Sequence, residues 1–297
     1  MKKLLIILFL FSSGFSLTLA QQSPHFTQYM FNDFVINPAI AGTHDFYQIR
    51  SNHRFQWMGI TDPPLTNTLS IYGPHGKMPM GFGGYFYNDV TGPTSRTGLT
   101  GSYAYNILLF GDVRLSGGLS MGLMQYKLDG TQLNVKDLTD LDIQPIVNSS
   151  YMPDAAVGFY LYSKQFYAGF SANQLLNNKL KVYEVKSGLN KLKSHFYLTG
   201  GYKYEINRDL EIEPSVIIKV TSPKAFQFDL SARVIYQETY WGGLSFRMKD
   251  AVSVLLGYSY DKKFSFGYAY DMGINSLRKF NSGSHELMIG YRFNDIR

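Results

Sequence analysis

The segment SHELMIGYRF, residues 284–293, alternates with a period of two. Leu287, Ile289, Tyr291 and Phe293 fall on one side, and Glu286, Met288, Gly290 and Arg292 on the other. Successive side chains of a β-strand point to opposite faces, so this pattern predicts a strand with one apolar and one small or polar face. KFSFGYAYD repeats it, with Phe264, Phe266, Tyr268 and Tyr270 opposite Ser265, Gly267 and Ala269. VSVLLGYSY and FQFDLSARVIY follow the same rule, and YQIRSNHRFQW gathers Gln48, Arg50, Asn52, Arg54 and Gln56 on one face. Fourteen such strands are predicted, at about 46–57, 65–72, 79–89, 96–109, 112–126, 155–162, 165–173, 194–206, 210–220, 225–236, 239–248, 251–260, 263–271 and 285–295. Periodicity alone fits a soluble sandwich, whose apolar face packs on a second sheet, or a membrane barrel, whose apolar face meets lipid.

Length and composition separate the two. Most of the runs are longer than the globular norm of about 5–6 residues and suit a tilted strand crossing a bilayer. Tyr and Phe, 23 and 22 in number, accompany 28 Gly and sit at strand ends, as the aromatic girdles of a barrel do. The connections are also sorted. FGD, SKQ, INRD, QET and DKK are short and all even in order, whereas the long ones around 127–153, 173–193 and 272–284 are odd. GPHGKMP is longer than that rule prefers and KDA shorter. Short periplasmic turns and long outer loops are the habit of outer-membrane barrels. The predicted fold is therefore all-β: a transmembrane outer-membrane β-barrel of about 14 antiparallel strands over residues 46–297, as one domain. The last strand ends on Tyr291 and Phe293, a feature such barrels share.

The start of the chain gives an address. MKK is basic, LLIILFLF is apolar, and SLTLA ends in small residues, so residues 1–20 read as a secretory signal peptide cleaved between Ala20 and Gln21. Loss of Lys2 and Lys3 lowers the formal charge from +6 to +4, spread without a basic patch, and no nucleic-acid partner is expected. There is no Cys, which excludes disulfides, thiolate metal sites and a lipidated N-terminal Cys.

Residues 21–45 precede the first strand. FTQYMFNDFVINPAIAG is apolar enough to be buried and is stopped by Pro38. Ser23-Pro24 resembles a helix start, and Phe26, Tyr29, Met30 and Phe34 share helical spacing. A short helix at the periplasmic mouth needs cover for its apolar face, and the barrel interior supplies it. The segment is expected to be a helical plug.

SPHFTQYMFNDFVINPAIAG resembles the opening of the PorP/SprF family of outer-membrane proteins of the type IX secretion system of Bacteroidetes. Pro24, Phe26, Thr27, Gln28, Tyr29, Asn37, Pro38, Ala39, Ala41 and Gly42 carry the resemblance. YQIRSNHRFQW, GFGGYFYNDVTGPTSRTGLTGSYAY and GLSMGLMQYKLD resemble later strands of the family. The resemblance implies an integral, non-enzymatic outer-membrane component in contact with outer-membrane lipid. Its implied partners are a secreted surface protein, an adhesin held by its C-terminal domain, or periplasmic ring lipoproteins and a peptidoglycan-binding lipoprotein of the secretion and gliding machinery. The alternative is a diffusion channel or a hydrophobic-substrate transporter with a plugged barrel.

Arg50, Arg54, Arg114, Asp229, Arg233 and Arg292, with Glu211, Glu213 and Lys219, are expected to face the lumen, where they pair with one another or receive a partner. No cofactor is expected. Asp137, Asp140 and Asp142 of DLTDLD lack the glycine turn and closing Glu of a calcium loop. The six histidines show no metal-ligand spacing. Ser51 and His53 share the lipid side of the first strand, but no motif supplies them an acid, and the chain is not expected to be an enzyme. GFGG at 81–84 is followed by no helix, so it is no phosphate loop; within a strand its glycines allow close approach of side chains or of the plug.

Overall fold

The computed structural model describes residues 24–133, 146–179, 191–221 and 225–295. Ala20, Gln21, Ser23 and the Asp137, Asp140 and Asp142 cluster lie outside the described residues. The strands are β1 (Tyr47–Phe55), β2 (Leu65–Pro74), β3 (Met80–Thr91), β4 (Thr94–Phe110), β5 (Val113–Asp129), β6 (Val147–Tyr162), β7 (Phe166–Asn173), β8 (His195–Tyr202), β9 (Tyr204–Asn207), β10 (Leu210–Thr221), β11 (Ala225–Tyr236), β12 (Tyr240–Arg247), β13 (Ala251–Tyr260), β14 (Phe264–Gly273) and β15 (Ser284–Phe293). Every neighbouring pair is antiparallel, and β1 pairs with β15 from Tyr47↔Phe293 to Phe55↔His285, which closes the sheet. β8 and β9 are two parts of one barrel strand. Ser215↔Gly201 and Ile212↔Tyr204 share one register, and the break at Lys203 falls opposite Glu213, beside Pro214, which has no N–H to give the ladder. The barrel therefore has fourteen staves, the number legible in the sequence.

Its faces are inverted relative to a water-soluble protein. Leu99, Leu119, Leu123, Phe159, Leu244, Leu256 and Ile289 are exposed on the outer wall, while Asn52, Ser116, Ser253, Arg54 and Glu286 are buried inside. Only a lipid solvent makes that arrangement favourable, because it removes the cost of exposing apolar side chains and leaves the polar ones to satisfy each other inside. No described helix is long and apolar enough to cross a membrane.

Turns 111–112, 163–165, 208–209, 237–239 and 261–263 lie at the end where β1 begins, the periplasmic end by the rule for such barrels. The outer end departs from the sequence expectation in two places. β3 and β4 continue into a tight turn at Gly92-Pro93, and β6 begins at Val147 rather than near 155. β4, β5 and β6, of 17, 17 and 16 residues, exceed the about 9–11 needed to span a bilayer, so their hairpins stand above it. Residues expected in a loop are there paired strand.

The segment before β1 lies inside the barrel, but its helical content is two 3-10 turns, Asp33–Val35 and Pro38–Ile40, not a helix from Pro24. The reason is local. The amides of Thr27 and Gln28 are taken by the carboxylate of Glu286 on the wall, so they are not available to a helix. Helical spacing of the aromatics also loses its meaning in a lumen, where Thr27, Gln28 and Asn32 are buried as fully as Phe26, Tyr29 and Phe34. The segment extends beyond the periplasmic mouth: Pro24 and Phe26 line the same cavity as Thr221 and Ala225 at the outer end, and Gly42 lies beside Gly81 at the other.

Wall glycines make room for it. A Cβ on Gly118 would meet the backbone of Pro38 and Ala39, one on Gly81 that of Ala41 and Gly42, and one on Gly158 the side chain of Asn37. Phe34, Ala39, Ile40 and Ala41 pack with Tyr72, Ala104 and Tyr160 as the core of the lower lumen. Gly118→Val is therefore expected to unseat residues 38–41, an overpacking cost of about 1–3 kcal/mol. A lowered temperature for loss of the compact gel form would show it; an unchanged transition would mean the plug does not rest on this wall.

Candidate functional site

The plug is held to the wall by a buried network centred on Thr27. Its hydroxyl lies 2.8 Å from Asp271 Oδ1 and accepts from Arg54 at 3.0 Å and Arg247 at 2.8 Å. Its amide donates to Glu286 Oε2 at 2.7 Å, and the Gln28 amide to Oε1 at 3.1 Å. Arg54 bridges Asp271 at 2.6 Å and Glu286 at 3.2 Å. Arg247 reaches Asp229, Asp250 and Asp271 at 3.3, 3.1 and 3.1 Å, and Lys219 meets Asp229 at 2.9 Å. β1, β12, β14 and β15 thus converge on one residue of the plug, and β10 and β11 back them through Lys219 and Asp229. Paired charges inside a barrel repay their desolvation only when geometry and extra hydrogen bonds are good, and here both carboxylate oxygens of Glu286 have donors.

Lower in the lumen the contacts are between neutral groups. Asn37 Nδ2 donates to the Phe159 and Phe170 carbonyls, and its Oδ1 caps the Pro38 turn through Ala39 N at 3.0 Å. Ser116 Oγ donates to Ala39 O at 2.6 Å, and Asn106 to Gly42 O. Tyr29 Oη meets Ser215, and Asn32 lies between Asn52 and Ser70. Pro24, Phe26, Thr27, Gln28, Tyr29, Asn37, Pro38, Ala39 and Gly42 thus lie along one path through the barrel.

Of the lumen candidates, Arg54, Asp229 and Lys219 belong to the Thr27 network. Arg233 pairs with Glu213 at 2.6 Å and lies over the Phe31 ring at 4.5 Å. Arg50 is held by Gln48 Oε1, and Arg292 covers Phe46 near the periplasmic mouth. Arg114 stands exposed at the periplasmic end of β5. Arg247, Asp271 and Glu286 were not among the candidates, though all occupy inward positions of their strands. Strand parity could have named them; what it could not give is that their strands and β1 meet at Thr27.

Above the network is a vestibule of about 130 Å³, lined by Phe26, Tyr85, Tyr87, Asp154, Gln174 and Phe226 among others. A second cavity beside Tyr29, Asp33 and Ile40 measures only about 10 Å³, room for one water. Among the described residues no cluster of His, Cys, Asp or Glu could hold a metal ion.

A closed, plugged barrel with a lipid-facing apolar wall defines an integral β-barrel of a Gram-negative outer membrane. Residues 18–291 match the profile of the family described as type IX secretion system membrane protein PorP/SprF, and the chain belongs to that family. No curated protein matches the sequence. Among solved structures, a FadL homologue of Pseudomonas aeruginosa is similar at TM-score 0.51 and 11% identity, over 93% of this chain and 95% of that one. The CymD monoaromatic hydrocarbon channel gives 0.49 and 11%, over 90% and 94%. The toluene transporter TodX of P. putida gives 0.49 and 9%, over 87% and 92%. At 11% identity the likeness to the FadL homologue is one of fold.

Glu286→Ala removes the acceptor of two plug amides and one partner of Arg54, and is expected to cost about 3–5 kcal/mol as a broken buried pair. Residues 24–32 should then become cleavable by added protease in folded barrels. Protection equal to the unsubstituted protein would show that the network does not hold the plug.

Proposed function

We propose that this chain acts in type IX secretion as a closed docking barrel, which receives a secreted partner's C-terminal domain at its outer face and keeps it at the surface. The observation that carries this reading is the filled lumen: Thr27 latches the plug to four strands, and the open space is a vestibule at the outer end. The secretion role requires no bond-making chemistry. The partner's grip is assigned to the outer rim, where the connection between β14 and β15 holds a turn at Ser276–Lys279 and exposes Ile274, Leu277 and Phe280, the last at 71%. Exposed apolar side chains above the bilayer favour a protein contact. Contact at the periplasmic turns with ring or peptidoglycan-binding lipoproteins is the other role consistent with the family. The aromatic lining of the vestibule favours a second reading, a transporter of hydrophobic molecules through a movable plug.

Affinity purification of a tagged copy from gently solubilised outer membranes, with mass spectrometry, tests these. A large secreted protein in near-equal amount is expected, and Leu277→Ala with Phe280→Ala should weaken its binding about 30-fold if the two anchoring contacts together are worth about 2 kcal/mol. Retention of periplasmic lipoproteins alone would move the role to the periplasmic face, and passage of hydrophobic molecules with no stoichiometric partner would favour the transporter.

A further inference from the structure

The lipid-facing side of β1 and β2 carries three polar side chains in hydrogen-bonded series. Ser51 Oγ lies 2.9 Å from His53 Nε2, and His53 Nδ1 lies 2.7 Å from Asn67 Oδ1 on β2. Ser51 and His53 are two apart on one strand, and His53 pairs directly with Asn67 in the register. The apolar side chains around them, Ile49, Leu69, Leu287 and Ile289, face the bilayer. The sequence displayed Ser51 and His53 on one face but hid the third member, which pairing alone brings across from the next strand.

From this geometry we propose that Ser51, His53 and Asn67 form a nucleophilic triad on the outer wall that hydrolyses acyl esters of membrane lipids. This goes beyond the docking role and is independent of it. The Asn67 amide oxygen accepts the Nδ1 proton of His53 and leaves the Nε2 lone pair for the Ser51 hydroxyl, the arrangement a general base needs. The Thr68 carbonyl also accepts from Ser51 Oγ at 3.2 Å and competes for its one proton; the contact to His53, at 2.9 Å, is the shorter. In the reaction Ser51 Oγ attacks the ester carbonyl carbon and its proton passes to His53 Nε2. The bond to the alcohol oxygen breaks, that oxygen takes the proton from Nε2, and an acyl-serine and a lysolipid result. Water then gives a proton to His53 and attacks the acyl-serine. Fatty acid leaves and Ser51 regains its proton, so the sum is ester plus water to alcohol plus acid.

Water and lipid headgroups have a route to the triad. The register row through His53 and Asn67 continues through Asn88, Thr97, Gln125 and Tyr151, one outward polar residue on each of β3 to β6. Asn88 donates to Thr97 and Gln125 to Tyr151, each at 2.9 Å. Counted from Val113, Gln125 lies past the about 9–11 residues that cross a bilayer, so the row climbs from within the outer wall to the aqueous side. The amides of β1 are committed to its ladders with β15 and β2. An oriented oxyanion donor is worth about 10²–10³ in rate, so turnover is expected to be slow.

The test uses the full-length protein in mixed micelles of detergent and diacyl phosphatidylethanolamine, with an alkyl fluorophosphonate as a second probe and heat-modifiable gel mobility as the folding check. A phosphonyl adduct at Ser51 and fatty-acid release above the Ser51→Ala background are expected. His53→Gln should slow adduct formation roughly 10²–10⁴-fold, the usual contribution of a general base. Asn67 is a positioning residue: Asn67→Asp should stay within tenfold of the unsubstituted protein, and Asn67→Leu should fall at least tenfold below Asn67→Asp. Absence of the adduct, an adduct indifferent to His53, or no fatty-acid release in folded protein would each overturn the proposal, while leaving partner capture at the outer rim unaffected.

Discussion

The carboxylate of Glu286 is the contact on which the interior depends. A barrel with an apolar outside must put its polar groups inside, and the chain that fills that inside must satisfy its own amides against the wall. Glu286 does both, accepting the amides of Thr27 and Gln28 while countering Arg54. From there the remaining order follows. Arg54 and Arg247 meet at the Thr27 hydroxyl, Asp271 and Asp229 balance them, and the plug descends from that point to the glycine-lined lower lumen. The upper part is fixed by charge-assisted bonds and the lower part by shape.

This division shows what the sequence could disclose. The staves were legible because lipid on one side and a polar lumen on the other impose a period of two that local order cannot blur. The burial of Phe26, Tyr29 and Phe34 was legible for the same reason, through their apolar character. The helix expected there fails because a helix needs its own carbonyls as partners, and the wall competes for the donors of Thr27 and Gln28. Gly92-Pro93 and the early start of β6 were missed because strands that rise above the bilayer lose the lipid-facing signal that marks their lower halves.

Contacts between distant strands were the least legible. Arg54 is 217 positions from Asp271, and nothing local couples them. Asn67 is 14 positions from His53, yet only the β1–β2 register sets the two side by side. Both polar constellations, the latch inside and the series outside, are products of closure: strand parity chooses the face, and register chooses the neighbours. The outer one lies where polar groups gain least from their surroundings, which is why its completeness invites a chemical reading.

The central claim is that residues 24–42 occupy the lumen of the resting protein. Because the chain has no cysteine, one engineered pair reports on this without ambiguity. Ala39→Cys with Ser116→Cys places two thiols where a side chain and a backbone carbonyl already meet at 2.6 Å. Oxidation in intact outer membranes should join them in most molecules while the barrel keeps its compact gel mobility. Failure to cross-link in correctly folded barrels would contradict the account, and the lumen would have to be regarded as open.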